Sequence, residues 1–167
     1  MSKSQRGRPP FPTPDLVVEE THQFVPEQQA YLNIIRTAQA LGADLTELFD
    51  RFALSGKQYN VLRALRRGGP SGLTATEIGQ QMTDRRADVT RLVDRLVREG
   101  FVRREQDESD RRIVRAVLTK KGAGILKRID EPLIETHRAQ LGHLSREEIE
   151  TVIALMKKAR REGPETD

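Results

Sequence analysis

The stretch "REQDESDRRIVRAVLT", residues 104–119, decides how the rest of the chain is read. Four acids, Glu105, Asp107, Glu108 and Asp110, come first, and Arg111, Arg112 and Arg115 stand just behind them. On either side the apolar spacing moves from the helical 3.6 toward 2. That spacing predicts two strands, residues 101–104 and 113–118, joined by a polar tip. A catalytic loop would offer a nucleophile or a histidine, and this one has neither. A plain surface hairpin has no need of arginines beside its turn, so these side chains call for a partner.

Upstream, "RRADVTRLVDRLVREG" reads as a helix that starts after Thr83 or Asp84 and ends at Gly100, the C-cap. At about 100° per residue, Val89, Leu92, Val93, Leu96 and Val97 share one face, and Ala87, Thr90, Arg91, Asp94 and Arg98 lie opposite or flank it. Arg85 and Arg86 are expected in its first turn. "LTATE" predicts a shorter helix before it: Thr74 caps, Glu77 reaches back, and Ile78 and Met82 face inward. Before that, "LSGKQ" offers Ser55 and Gln58 as a capping box for a helix carrying Val61, Leu62 and Leu65 and stopped by "RGGPSG".

The flanks are also helical. Pro26 suits a first turn, and Tyr31, Ile34, Ile35, Ala38, Leu41, Leu45, Leu48 and Phe49 follow at helical spacing to about Phe52. After the hairpin, Thr119 begins a long helix with Ile125, Leu126, Ile129, Leu133, Ile134 and Leu141, which Pro132 should bend and Gly142 ends. Ser145 and Glu148 of "SREE" form a third capping box, for a last helix apolar at Ile149, Val152, Ile153 and Met156. Residues 1–26 hold five prolines and read as an extended arm.

Composition narrows the function. The chain has 167 residues, enough for one domain, with 36% hydrophobic and 32% charged residues and no Trp. Such a core is thin and suits completion by a second subunit. The formal charge is only +4, but its distribution is uneven. From Arg51 to Thr76 there are five basic residues and no acid, and from Arg111 to Ile129 seven and none. Local fields of that sign attract polyanions. The absence of cysteine removes disulfides, thiolate catalysis and Cys-ligated zinc. No run spans a bilayer and no signal-peptide core opens the chain, so a soluble, cytoplasmic protein is expected.

Helix, short helix, helix and hairpin, in that order, make a winged helix-turn-helix over residues 55–119. The expected fold class is mainly α with a small β-hairpin, flanked by dimerisation helices over residues 27–54 and 120–161. An arm (1–26) and a tail (162–167) complete the chain. "VTRLVDRLVREGFVRREQDESDRRIVRAVLTKKG", residues 89–122, resembles the multiple-antibiotic-resistance-regulator (MarR) family of transcription factors. Asp110, Arg111, Arg112, Leu118, Thr119 and Gly122 match the family's wing pattern. Gly100, Phe101, Val102 and Arg104 match the passage that leads into it.

The resemblance implies a sequence-specific DNA-binding regulator, a ligand-responsive repressor on a palindromic operator, acting as a homodimer on double-stranded DNA. Arg85, Arg86, Ala87, Thr90, Arg91 and Arg95 would face the major groove, where arginine donates two parallel hydrogen bonds to guanine and a methyl can touch thymine. Asp110, Arg111 and Arg112 would serve the wing. Arg112 would enter the minor groove, with Asp110 holding its guanidinium. On this reading the arginines of the opening stretch are DNA-reading groups.

A small aromatic or phenolic effector is implied as well, with Asn33, Arg36, Tyr59, Arg63 and His137 as the polar or aromatic residues near its site. No cofactor, metal site or catalytic residue is expected. His22, His137 and His143 are far apart, and no nucleophile–base pair or phosphate loop stands out. Two alternatives share the fold: a metal-responsive regulator using histidines with Glu or Asp, and a winged-helix module for protein contacts. The second would carry a neutral or acidic fourth helix, unlike this one.

Overall fold

A computed structural model describes residues 25–82, 88–107 and 109–160. Along it run α1 (Pro26–Asp50), α2 (Gly56–Gly68), α3 (Ala75–Gln81), α4 (Val89–Arg98), β1 (Val102–Gln106), β2 (Val114–Leu118), α5 (Lys120–Leu141) and α6 (Arg146–Ala159). The expected winged helix-turn-helix is present, mostly helical with one antiparallel hairpin. Residues 1–24 of the Pro-rich arm and the tail lie outside the described residues, and Pro26 already opens α1.

The chain divides into two compact units, Met1–Thr37 and Ala38–Asp167. In the first, the described residues are the opening turns of α1, where Tyr31, Ile34 and Ile35 are exposed. The second holds the core. α2 lies at its centre because Val61, Leu62 and Leu65 fall on one helical face, and it packs on α3, α4, α5 and β2. Ile78, Val93, Leu96, Val102, Ala116, Leu126 and Ile129 close around it, joined by Phe49 and Leu54. Burying each large apolar side chain stabilises the fold by about 1.5–3 kcal/mol.

All three capping boxes form, at Ser55/Gln58, Thr74/Glu77 and Ser145/Glu148. Each satisfies two backbone donors that the start of a helix leaves unpaired. Pro132 sits inside α5, which runs on past it to Leu141. In α6 no residue is buried, and Val152, Ile153 and Leu155 are about half exposed. No helix among the described residues is long and apolar enough to cross a membrane.

The hairpin pairs Val102 with Leu118 and ends at Gln106 opposite Val114. β1 therefore reaches two residues beyond the expected strand, and Phe101 and Ile113 fall just outside the ladder. Polar Glu105 and Gln106 broke the alternation, yet both join the ladder, opposite Arg115 and Val114, and Glu105 forms an ion pair with Arg103 on the same strand. Asp107 N donates to Ile113 O at 2.9 Å and closes the outer end. At mid-ladder, Leu73 bridges to Ala116: Leu73 N donates to Ala116 O at 3.0 Å, and Ala116 N donates to Leu73 O at 2.7 Å. Gly72 makes that approach possible. Its φ is +67°, and a Cβ there would lie 2.4 Å from the Ala116 carbonyl oxygen.

Candidate nucleic-acid interface

α4 begins later than its sequence suggests. Asp88 is its N-cap, with Oδ1 accepting from Arg91 N at 3.1 Å. The first described turn is Val89, Thr90 and Arg91. Aspartate is among the strongest N-caps, and two of them, Asp84 and Asp88, competed for the role. Arg85, Arg86 and Ala87 lie outside the described residues. Asp88 also grips the Arg91 side chain, Oδ2 to Nε at 3.0 Å.

The two faces of α4 separate as expected. Val93 and Leu96 are buried, while Thr90, Arg91, Arg95 and Arg98 are exposed. Arg95 Nε donates to Glu99 Oε1 at 3.0 Å. Glu99 is itself held from below, because the buried Gln58 donates from Nε2 to its Oε2 at 3.1 Å. One side chain thus closes the α2 cap and steadies the far end of α4, a link that a separation of 41 positions hid from the sequence.

At the hairpin tip, Arg112 Nε donates to Asp110 Oδ1 at 3.0 Å and Nη2 donates to Oδ2 at 2.8 Å. Arg112 N also donates to Oδ1, at 3.0 Å. The Arg112 side chain, followed by its backbone N–H, holds the Asp110 carboxyl below the usual aspartate range, and Asp110 raises the guanidinium in return. Both groups are charged at neutral pH. The Arg112 side chain remains 90% exposed, and Arg111 is exposed as well. A fork-to-fork pair of this kind fixes the direction of a guanidinium without burying it.

Arg115 departs from the expectation for the three arginines as a set. It turns back from the tip, with Nε donating to Asp107 Oδ2 at 2.5 Å and Nη1 to Glu77 Oε2 at 3.3 Å. Asp107 Oδ1 accepts from Ser109 N at 2.9 Å, Ser109 Oγ at 2.5 Å and Asp110 N at 3.3 Å. Hydrogen bonds from Ser109 and then Arg115 hold the Asp107 carboxyl far below the usual range. Asp followed two positions later by Ser is the signal for such a turn, and the charge count of the tip concealed it.

A model of the MarR family matches residues 54–114. The HTH-type transcriptional regulator PecS of Dickeya dadantii is 30% identical over 122 residues, spanning 72% of this chain and 74% of PecS. The chain belongs to the MarR family. Among solved structures, the MarR transcription factor from Planctomyces limnophilus is 38% identical, covers 81% of this chain and 98% of its own, and superposes with a TM-score of 0.62. A mutant MarR from E. coli complexed with operator DNA is 26% identical, over 78% and 93%, with a TM-score of 0.71. Members of the family are transcription regulators and not enzymes, and this MarR-family chain is a DNA-binding transcriptional regulator.

The residues expected near an effector are dispersed in character. Asn33 and Arg36 are exposed on the opening turns of α1, Arg63 on α2 and His137 on α5. Tyr59 is part of the core, its ring stacked on Phe49 with centroids 4.5 Å apart, and burial raises the pKa of its hydroxyl. Among the described residues, no three histidine, aspartate or glutamate side chains gather into a group that could hold a metal.

Proposed function

We propose that this regulator acts as a homodimer on a palindromic operator, with α4 in the major groove and the hairpin as a wing in the adjoining minor groove. Arg112 carries the proposal: an exposed cation at a hairpin tip, already aimed by Asp110 through bonds of 2.8 and 3.0 Å. A narrow minor groove concentrates negative potential and favours an inserted arginine that needs no further ordering. Thr90, Arg91 and Arg95 are the major-groove candidates on α4, Arg111 serves the wing, and Arg85, Arg86 and Ala87 are placed with them by sequence alone. Exposed Arg91, Arg95 and Arg98 disfavour a helix built for protein contacts.

The dimer is supported by apolar residues exposed on the flanking helices: Tyr31, Ile34 and Ile35 on α1, Ile134 on α5, and Val152, Ile153 and Leu155 on α6. Faces of this kind mark interfaces. On this reading residues 27–54 and 120–161 are the dimerisation elements and residues 55–119 the reading head. Two heads one helical turn apart would read a palindrome, and bound protein would repress wherever its operator overlaps a promoter. Release by a small aromatic or phenolic effector completes the proposal.

Sedimentation with and without a palindromic duplex tests the assembly. A dimer at micromolar concentration, binding as one dimer per duplex, is the expected result. A monomer that binds the palindrome at full affinity overturns it. Titrating the complex with a panel of small aromatic acids tests the effector, and a panel that leaves the complex intact removes that part.

A further inference from the structure

Glu77 offers more than its capping box requires. Its Oε2 accepts from Thr74 N at 2.7 Å and Thr74 Oγ1 at 2.9 Å, which closes the box at the start of α3. At the start of α2 the same box is closed by Gln58, a neutral side chain accepting from Ser55 N at 2.9 Å. Glutamine is therefore sufficient for the cap, and the charge at position 77 has another partner. That partner is Arg115 of β2, which spans from Glu77 to Asp107.

The location of this tie matters. A two-stranded hairpin is marginal alone and depends on what it packs against. Here the backbone bridge from Leu73 reaches the hairpin at Ala116, and Arg104, opposite Ala116, ties the same level to α4 through Asp94 at 2.6 Å. Arg115 is one residue further out, opposite Glu105. Among the described residues, its bond to Glu77 is the outermost ion pair between the hairpin and a helix. Successive residues of a strand point to opposite faces, so Arg104 and Arg115 hold the two faces of the hairpin to the two helices of the helix-turn-helix. Arg115 is the sheltered member of the tie, with its side chain 27% exposed against 44% for Glu77, and Asp107 behind it is 13% exposed. Asp107 then continues it into the tip, since it accepts from the N–H of Asp110, the residue that aims Arg112.

We propose that Arg115 is a positioning residue for DNA reading. Held by Glu77 and Asp107, it sets the angle at which the hairpin presents Arg112 relative to α4, so the major-groove and minor-groove contacts arrive in register on one duplex. The inference rests on the wing reading above. It assigns Arg115 no contact with DNA, and it gives Glu77 a role at a distance from the bases.

The test is selection of bound duplexes from a random pool by the full chain, comparing wild type with Glu77→Gln, Arg115→Gln and Arg112→Ala, and melting each variant. Glu77→Gln keeps the cap and should melt like wild type. Its selected sequences should keep the half-site core while base preferences at the flanking minor-groove positions flatten. Affinity for the best flanks should fall roughly two- to tenfold, the cost of re-ordering about one side chain. Arg115→Gln, which releases both acids, should flatten the flanks further. Flanks that stay sharp in both variants while Arg112→Ala flattens them would overturn the positioning role and leave the wing reading standing. A uniform loss over all sequences with a lowered melting temperature would overturn it too, since that marks a merely structural pair. Flanks unchanged in Arg112→Ala would remove the wing reading and this inference with it.

Discussion

Replacing Asp110 by Asn sets two physical effects against each other. The amide oxygen can still accept from Arg112 N, so the turn is preserved, but the charge that grips the guanidinium through Nε and Nη2 is gone. Coulomb's law alone says that removing a negative charge beside a polyanion tightens binding. At about 0.1 M salt the Debye length is about 10 Å, so the screened gain from one exposed charge is about twofold or less. Ordering works the other way. An arginine that is 90% exposed, once freed, must be immobilised anew on binding, which costs roughly two- to tenfold in affinity. Asp110→Asn should therefore bind more weakly than wild type, and more clearly so at 0.3 M salt (an assay condition, about 6 Å of screening length) where the Coulomb gain fades. Arg112→Ala should lose roughly five- to a hundredfold and lower the salt slope by about one. The double variant should resemble Arg112→Ala alone, because the aspartate has nothing left to aim. Fluorescence anisotropy on one operator across a salt series reads all four corners, with melts as a control; Arg112 is exposed and Asp110 half-buried at a hairpin tip, and shifts should stay within about 2 °C. Tighter binding by Asp110→Asn at every salt concentration, or strict additivity, would refute the aiming role.

Other outcomes follow from the same geometry. Arg91→Ala should cost about 1–3 kcal/mol on the operator and much less on random DNA, whereas equal losses in a competition assay would place Arg91 on phosphate. Gly72→Ala forces a Cβ against the Ala116 carbonyl at positive φ and should destabilise the fold by about 1–3 kcal/mol, read by chemical denaturation. Leu126→Ala, at a fully buried position, should cost about 2–5 kcal/mol in the same assay. The capping carboxylates Glu77 and Glu148 have lowered pKa values, caused first by the backbone N–H groups of Thr74 and Ser145 respectively. Their contribution is complete above the ordinary glutamate range and is lost as pH falls through the lowered values. The melting temperature should accordingly hold from neutral pH to about 5 and then fall, with a shallower fall in Glu77→Gln.

Local signals carried most of the fold. Ser or Thr followed three positions later by Glu or Gln marked three helix starts, and each closed as a box, because the bonds involved span only three residues. The α4 start was ambiguous for a physical reason: two aspartates four positions apart can each cap, and the bond from Arg91 N that marks Asp88 as a cap is seen only in the folded chain. Arg112 and Asp110 were legible as a pair through the resemblance of the wing pattern to the family's, and the bonds between them span only two positions. Arg115 was not. Its partner Glu77 is 38 positions away, and their meeting depends on how the hairpin docks on α3. Likewise the apolar spacing of α1 and α6 announced amphipathic helices, but a stripe in one chain has the same pattern whether it is covered by that chain or by a second copy.

The central claim is that α4 and the hairpin read different grooves of the same duplex. Base-analogue scanning of a selected operator tests it directly. Replacing each purine in turn by its 7-deaza form removes a major-groove acceptor, and adding a 2-amino group to each adenine obstructs the minor groove. The account predicts 7-deaza sensitivity confined to the two half-site cores, reduced by Arg91→Ala, and 2-amino sensitivity confined to the flanks, abolished by Arg112→Ala. Flanks indifferent to the 2-amino group, or half-site cores indifferent to 7-deaza substitution, would contradict it.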